Sequence, residues 1–212
     1  ITKAGAGGTV AAVLPAGNAN DHRRATRERP LTEAILAGDV RRIDLLRVTI
    51  GDGEGGVIRY AHSYVGLGIT PTVALELEQG GKGSLREIWS TVRTFSRFRP
   101  FEIETEHGRE RFDSIILANI SEMAKYASLS DDGRPDDGRF EVIVLRHTAK
   151  WRVLGTALRA ALRGLGPQPT AREYRFRTVK PIPMQVDGEL IELEAGVPVA
   201  VEIAPAALAT VL

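Results

Sequence analysis

Cysteine is absent from the 212-residue chain. That excludes disulfides, zinc–thiolate sites and cysteine nucleophiles. An excess of charge of one sign is absent too: 28 Lys and Arg stand against 27 Asp and Glu, for a net charge of +1. A global basic field for nucleic acid is thereby excluded, and no nucleic-acid partner is expected. No apolar run approaches the ~18 residues of a membrane-spanning helix. No secretory signal pattern is visible, so a cytoplasmic location is expected. The four His (22, 62, 107 and 147) show no metal-ligand spacing. Nucleophile-elbow, Walker and dinucleotide-fingerprint motifs are likewise missing. The chain opens on Ile1 in place of Met, which reads as a processed or truncated product.

What is present is ordinary in bulk and uneven in distribution. The chain is long enough for one large domain or two small ones. Residues 1–8 are small and Gly-rich and read as a loop, followed by an apolar strand, "TVAAVL". A short helix is expected from Asp21 to about Glu28. A second is expected from Leu31 to Ala37, closed by Gly38. Beyond that the texture turns to strands: "RRIDLLRVTI", "GVIRYAHSYVGLGI", "FEIETE", "ERFDSIILANI", "FEVIVLR", "REYRFRTVK", "IPMQVD" and "PVAVEIA". Many alternate and end at Gly or Asp turns. Helices are expected over "SLREIWSTVRTFSRF", where Ser84 and Glu87 have capping-box spacing, over "AKWRVLGTALRAALRGLG", and over "ITPTVALELEQG". The fold class is therefore α+β and mostly β: an antiparallel, sandwich-like domain with a few helices.

Several stretches invite chemistry. "LPAGNANDHRR", residues 14–24, has the form of a strand, a turn and a helix N-terminus, which aims backbone N–H groups at one spot and suits phosphate. It reads equally as a plain Asn-capped turn. In "MQVDGEL", Asp187 and Glu189 flank Gly188. A turn there could crowd both carboxylates and supply a base near neutral pH, and Asp-Gly is also the commonest hairpin signal. "DDGRPDDGRF" holds four Asp but lacks the spacing of a calcium loop and reads as a solvated turn. Arg86, Arg93 and Arg97 share one helix side, as do Arg152, Arg159 and Arg163; each set reads as a solvated face or a surface for anionic lipid.

The order of these pieces resembles the diacylglycerol kinase-like lipid kinases, a group that includes sphingosine, ceramide and bacterial lipid kinases. The series is "LPAGNANDHRR", "GDVRRIDLLRV", "VGLGI", "DDGRFEVIVL", "PMQVDGEL" and "PVAVEIAPAAL", spread over residues 9–212. The resemblance implies two domains with a cleft between them: a remnant of an α/β nucleotide-binding domain at 1–44 and a β-rich domain at 45–212. It implies that Gly17, Asn18 and Asn20 border the phosphates of ATP, and that Asp21 and Asp44 hold Mg²⁺ through water. It implies that Asp187 and Glu189 activate the hydroxyl of a lipid substrate. The implied activity is transfer of the ATP γ-phosphoryl group to that hydroxyl, with contact at the inner membrane surface and homodimer formation among the expected partnerships. Departures are specific. Asn18 stands where the family has Thr, His22 where it has Phe, and "ISEMAKYAS" replaces a glycine-rich stretch. The family's Gly-Gly-Asp-Gly-Thr nucleotide loop is absent, so these 212 residues are expected to be an inactive fragment. The alternative is a non-catalytic module that binds lipid or a partner.

Overall fold

The computed structural model describes residues 10–14, 30–52, 55–68, 100–120, 122–123, 127–128, 134–146 and 167–211. The expected helices at 21–28, 69–80, 84–98 and 149–166, with their arginine faces, lie outside these residues. Among the described residues no helix is long and apolar enough to cross a membrane.

In chain order, β1 (Val10–Ala11) precedes α1 (Leu31–Ala37), β2 (Val40–Ile50), β3 (Val57–Ala61) and β4 (Tyr64–Gly68). Then come β5 (Phe101–Thr105), β6 (Gly108–Ala118), β7 (Glu122–Met123), β8 (Ala127–Ser128) and β9 (Phe140–Arg146). The chain closes with β10 (Thr170–Ala171), β11 (Glu173–Thr178), β12 (Ile182–Val186), β13 (Glu189–Leu193) and β14 (Pro198–Val211). α1 ends where the sequence places it. Gly38 is left-handed at φ 71°, and the N–H groups of Gly38 and Asp39 donate to the carbonyls of Ile35 and Ala34 in a Schellman arrangement.

One sheet dominates, in the order β13-β12-β4-β6-β5-β11-β14-β2-β3, with β9 beside β6, β10 beside β9 and β1 beside β14. Every pairing in it is antiparallel except β1 with β14. β4 and β5 lie end to end along β6. Gly68 closes β4 at φ 84°, and a Cβ there would sit 2.4 Å from the Phe101 ring, so only glycine fits the junction. The sheet curls until β3 comes against β12. The inward residues of its arms form one core: Leu46 and Val48 of β2, Leu67 of β4, Ile115 and Leu117 of β6, Met184 and Val186 of β12, and Val201 of β14. This is the mostly β architecture that the alternating pattern predicts.

A smaller cluster lies where β2 and β14 leave that core. Ile43, Leu45 and Leu208 are buried there against Ala11, Tyr60, Ala204 and Ala207. Side chains on a strand alternate between faces, so Ile43 and Leu45 face the small cluster while Leu46 and Val48 face the large core. The division expected at residue 44 falls inside β2, which continues from Val40 to Ile50. "GVIRYAHSYVGLGI" differs from expectation. Its described residues form two strands, β3 and β4, separated at His62 and Ser63. That break builds the candidate site.

Candidate functional site

Val186 pairs with Glu189, which leaves Asp187 and Gly188 as a two-residue hairpin loop between β12 and β13. Both residues have positive φ, 47° and 92°, as a type I′ turn requires. Asp is one of the few residues besides Gly that enters the left-handed region readily. The turn aims the Asp187 side chain at the β3–β4 break. Its Oδ2 accepts the N–H of His62 at 2.7 Å, and its Oδ1 accepts the N–H groups of Ser63 and Tyr64, each at 3.0 Å. The backbone N–H of Asp187 donates to the Tyr64 carbonyl at 3.1 Å. Successive amides converging on one anion form a nest, and here the anion belongs to the chain itself.

His62 completes this cluster. Its Nε2 lies 3.5 Å from Asp187 Oδ2 and its Nδ1 lies 2.7 Å from Ser63 Oγ. The two ring nitrogens thus face Asp187 and Ser63, one each. The Asp187 side chain is 9% exposed and that of His62 is 22% exposed. Ser63 is buried.

Asn119, just past the end of β6, ties this turn to β2. Its Nδ2 donates to the Asp44 carbonyl at 2.9 Å and to the His62 carbonyl at 3.1 Å, while its backbone N–H donates to the Ser63 carbonyl at 2.8 Å. Asp44 has its own set of partners. Oδ2 accepts the Gly138 N–H and Oδ1 the Ala206 N–H, both at 2.7 Å, and the residue is 4% exposed. The Ala206 bond supports a break in β14 register between Ala204 and Leu208, where Ala206 sits at φ 49°. A non-glycine residue in that region costs ~1–3 kcal/mol unless its surroundings hold it. Asp44 holds its N–H, and Arg42 Nη1 donates to its carbonyl at 2.9 Å.

The structure thus brings Asp44 and Asp187 into one connected network. Glu189 opens β13 half-buried, and no hydrogen bond or ion pair engages its carboxylate among the described residues. Gly17, Asn18, Asn20 and Asp21 lie outside the described residues. Asp44, expected to hold Mg²⁺ through water, gives one acceptor site of each oxygen to a backbone amide in a buried setting. Among the described residues no three His, Asp or Glu gather as a metal set. Of the "DDGRPDDG" stretch, residues 134–138 are described: Asp44 takes the Gly138 amide, and Asp137 Oδ1 accepts the Arg139 N–H at 2.9 Å. Sequence reasoning missed His62, Ser63 and Asn119. The available signals were two polar residues interrupting an apolar strand pair, and an Asn closing the apolar run "SIILA".

A surface cavity among the described residues lies elsewhere. It holds about 530 Å³ between Thr105, His107, Phe112, Arg146, Tyr174 and neighbours. Phe112 and Ala118 are six residues apart on β6, which puts this cavity ~20 Å from the Asp187 turn. Burial pushes the Tyr174 phenol above its ordinary pKa, Glu110 adds to the rise and Arg146 opposes it. The cavity contains none of the residues singled out for chemistry.

No protein-family model and no curated protein matches this chain. Solved structures do. The chain is similar to a diacylglycerol kinase of Bacillus anthracis strain Sterne, with a TM-score of 0.62, 13% identity, and coverage of 95% of this chain and 66% of that one. Two further structures of assigned diacylglycerol kinases from the same strain give TM-scores of 0.64 and 0.67, at 16% and 15% identity, each covering 95% of this chain and 67% of theirs. The chain therefore has the fold of the bacterial diacylglycerol kinase-like lipid kinases, and it spans about two thirds of their length.

Proposed function

We propose that this chain carries the acceptor side of an ATP-dependent lipid kinase. In that reaction the lipid hydroxyl oxygen attacks the γ-phosphorus of ATP, the bond to the β–γ bridging oxygen breaks, ADP leaves, and the hydroxyl proton passes to a carboxylate. Catalysis of this kind rests on positioning and charge stabilisation. Glu189 is the group that takes the proton. Asp187 holds the turn, since its two oxygens accept three backbone amides. Gly17, Asn18 and Asn20 border the ATP phosphates. The observation that carries the reading is the Asp187–Gly188–Glu189 hairpin: it is anchored on the β3–β4 break and leaves the adjacent carboxylate unengaged among the described residues, on a fold shared with lipid kinases.

The test uses the full-length gene product, γ-labelled ATP, and diacylglycerol or a sphingoid base in mixed micelles. Labelled phospholipid is the expected result, with Glu189→Gln at ~1% of the wild-type rate, the scale of a general base. No labelled lipid from either substrate overturns the reading. A second reading has its own support, since Asp187 and Asp44 spend their oxygens on backbone amides as structural groups do. In that case the chain is a lipid- or partner-binding module. Vesicle binding that ignores ATP, with no ADP formed, decides for it.

A further inference from the structure

Asp44 and Asp187 anchor two different places, and what joins them is Asn119. β3 pairs with β2 only from Leu46 onward, so at Asp44 the β2 edge has lost its neighbour strand. The Asp44 N–H turns to the Pro135 carbonyl at 2.7 Å, and the Asp44 carbonyl takes an Asn119 hydrogen. The second Nδ2 hydrogen of Asn119 goes to His62, in the turn that grips Asp187. Asn119 is 1% exposed, and the reversed amide would point Oδ1 at two carbonyl oxygens, so its orientation is determined. Beyond Asp44 the linkage continues. The Ala206 bulge precedes Ala209 and Thr210, which pair with β1, and Thr210 Oγ1 donates to the Ala11 carbonyl at 3.0 Å. β1 leads into the 14–24 stretch.

We propose that Asn119 is a positioning residue that sets the spacing between the Asp187–Glu189 hairpin and the β1–β14 end of the sheet. Its amide is the strut between two nodes, each built by an aspartate around backbone N–H groups. The strut itself stands on geometry. Its consequence for phosphoryl transfer rests on the kinase reading, because it sets the acceptor carboxylate relative to the strand that enters the phosphate-side stretch.

Amide hydrogen exchange on the full-length protein reads the strut without any activity. Asn119→Asp keeps the size, removes both Nδ2 donors and places an oxygen against two carbonyls. Exchange is expected to rise about tenfold or more, the scale of a lost buried hydrogen bond, at His62, Ser63 and Tyr64 and also at Gly138 and Ala206. A rise confined to one node, or spread evenly over the sheet, overturns the proposal. Should that variant fail to fold, Asp44→Asn and Asp187→Asn decide it. Coupling is reciprocal, so each must raise exchange at the other's node, and effects confined to their own nodes overturn it. If the strut holds by exchange while no lipid is phosphorylated, the kinase reading alone has failed. If both hold, Asn119→Asp lowers kcat more than it raises KM for lipid.

Discussion

Two aspartates, treated as equals by the sequence, do different work in the fold. Asp44 lies in mid-strand at 4% exposure and divides its oxygens between the Gly138 turn and the β14 bulge, one N–H each. Asp187 lies in a turn, nearer the surface, and gathers three consecutive amides from a single loop beside an imidazole. The first carboxylate fastens pieces of chain that have no other reason to meet. The second shapes one local break, next to a Glu189 that no described residue engages. Burial separates the roles: a deeply buried acceptor is costly to lose, whereas water can replace one near the surface.

Asp44→Ala has the largest expected cost. It leaves the Gly138 and Ala206 amides buried without acceptors and frees a left-handed alanine, for a loss of about 3 kcal/mol in urea unfolding. A loss no greater than that of Asp187→Asn would erase the distinction. Glu189→Gln comes next, and its effect falls on rate alone: ~100-fold in phosphoryl transfer, with stability changed by less than about 0.5 kcal/mol. Asp187→Asn follows, at about 1 kcal/mol. Asn tolerates the turn, and its oxygen can serve Ser63 and Tyr64, but its NH₂ faces the His62 amide. The smallest effect is a surface reference, Arg111→Ala. Arg111 donates to Glu102 across β5 and β6 and holds that carboxyl below its ordinary pKa of 4.5. A depressed folded pKa gives stability that is present above pH 4.5 and lost as pH falls through the lower value. NMR titration should show Glu102 returning toward 4.5 in the variant, with little change in stability at neutral pH.

The "VDGE" stretch forms the hairpin of its first reading. Asp187-Gly188 is the hairpin that the dipeptide signals, and the same geometry delivers the carboxylate to the β3–β4 break. The closing of α1 by Gly38 was legible because a Schellman end is a local matter of one left-handed residue. The strand count was nearly legible from alternation. β13 was missed, its five residues following the turn without a separate signal, as were the two-residue strands β7, β8 and β10. The split at His62 was illegible for a different reason. "YAHSYVG" has the composition of a continuing strand, and the break persists only because Asp187, some 120 residues later, satisfies the three amides that a ladder would otherwise have used.

Taken alone, the order of residues determined the mostly β class, the turn positions, α1 with its glycine stop, and the two aspartates worth watching. These follow from short-range rules: alternation, turn chemistry and capping act within a few residues. Tertiary structure decided that Asp44 fastens the Gly138 and Ala206 amides, that His62 and Ser63 stand beside Asp187, and that Asn119 bridges the two nodes. Each of those outcomes depends on which backbone groups are left without a partner once the sheet has curled. That is a property of strand register over the whole chain, and no local stretch contains it.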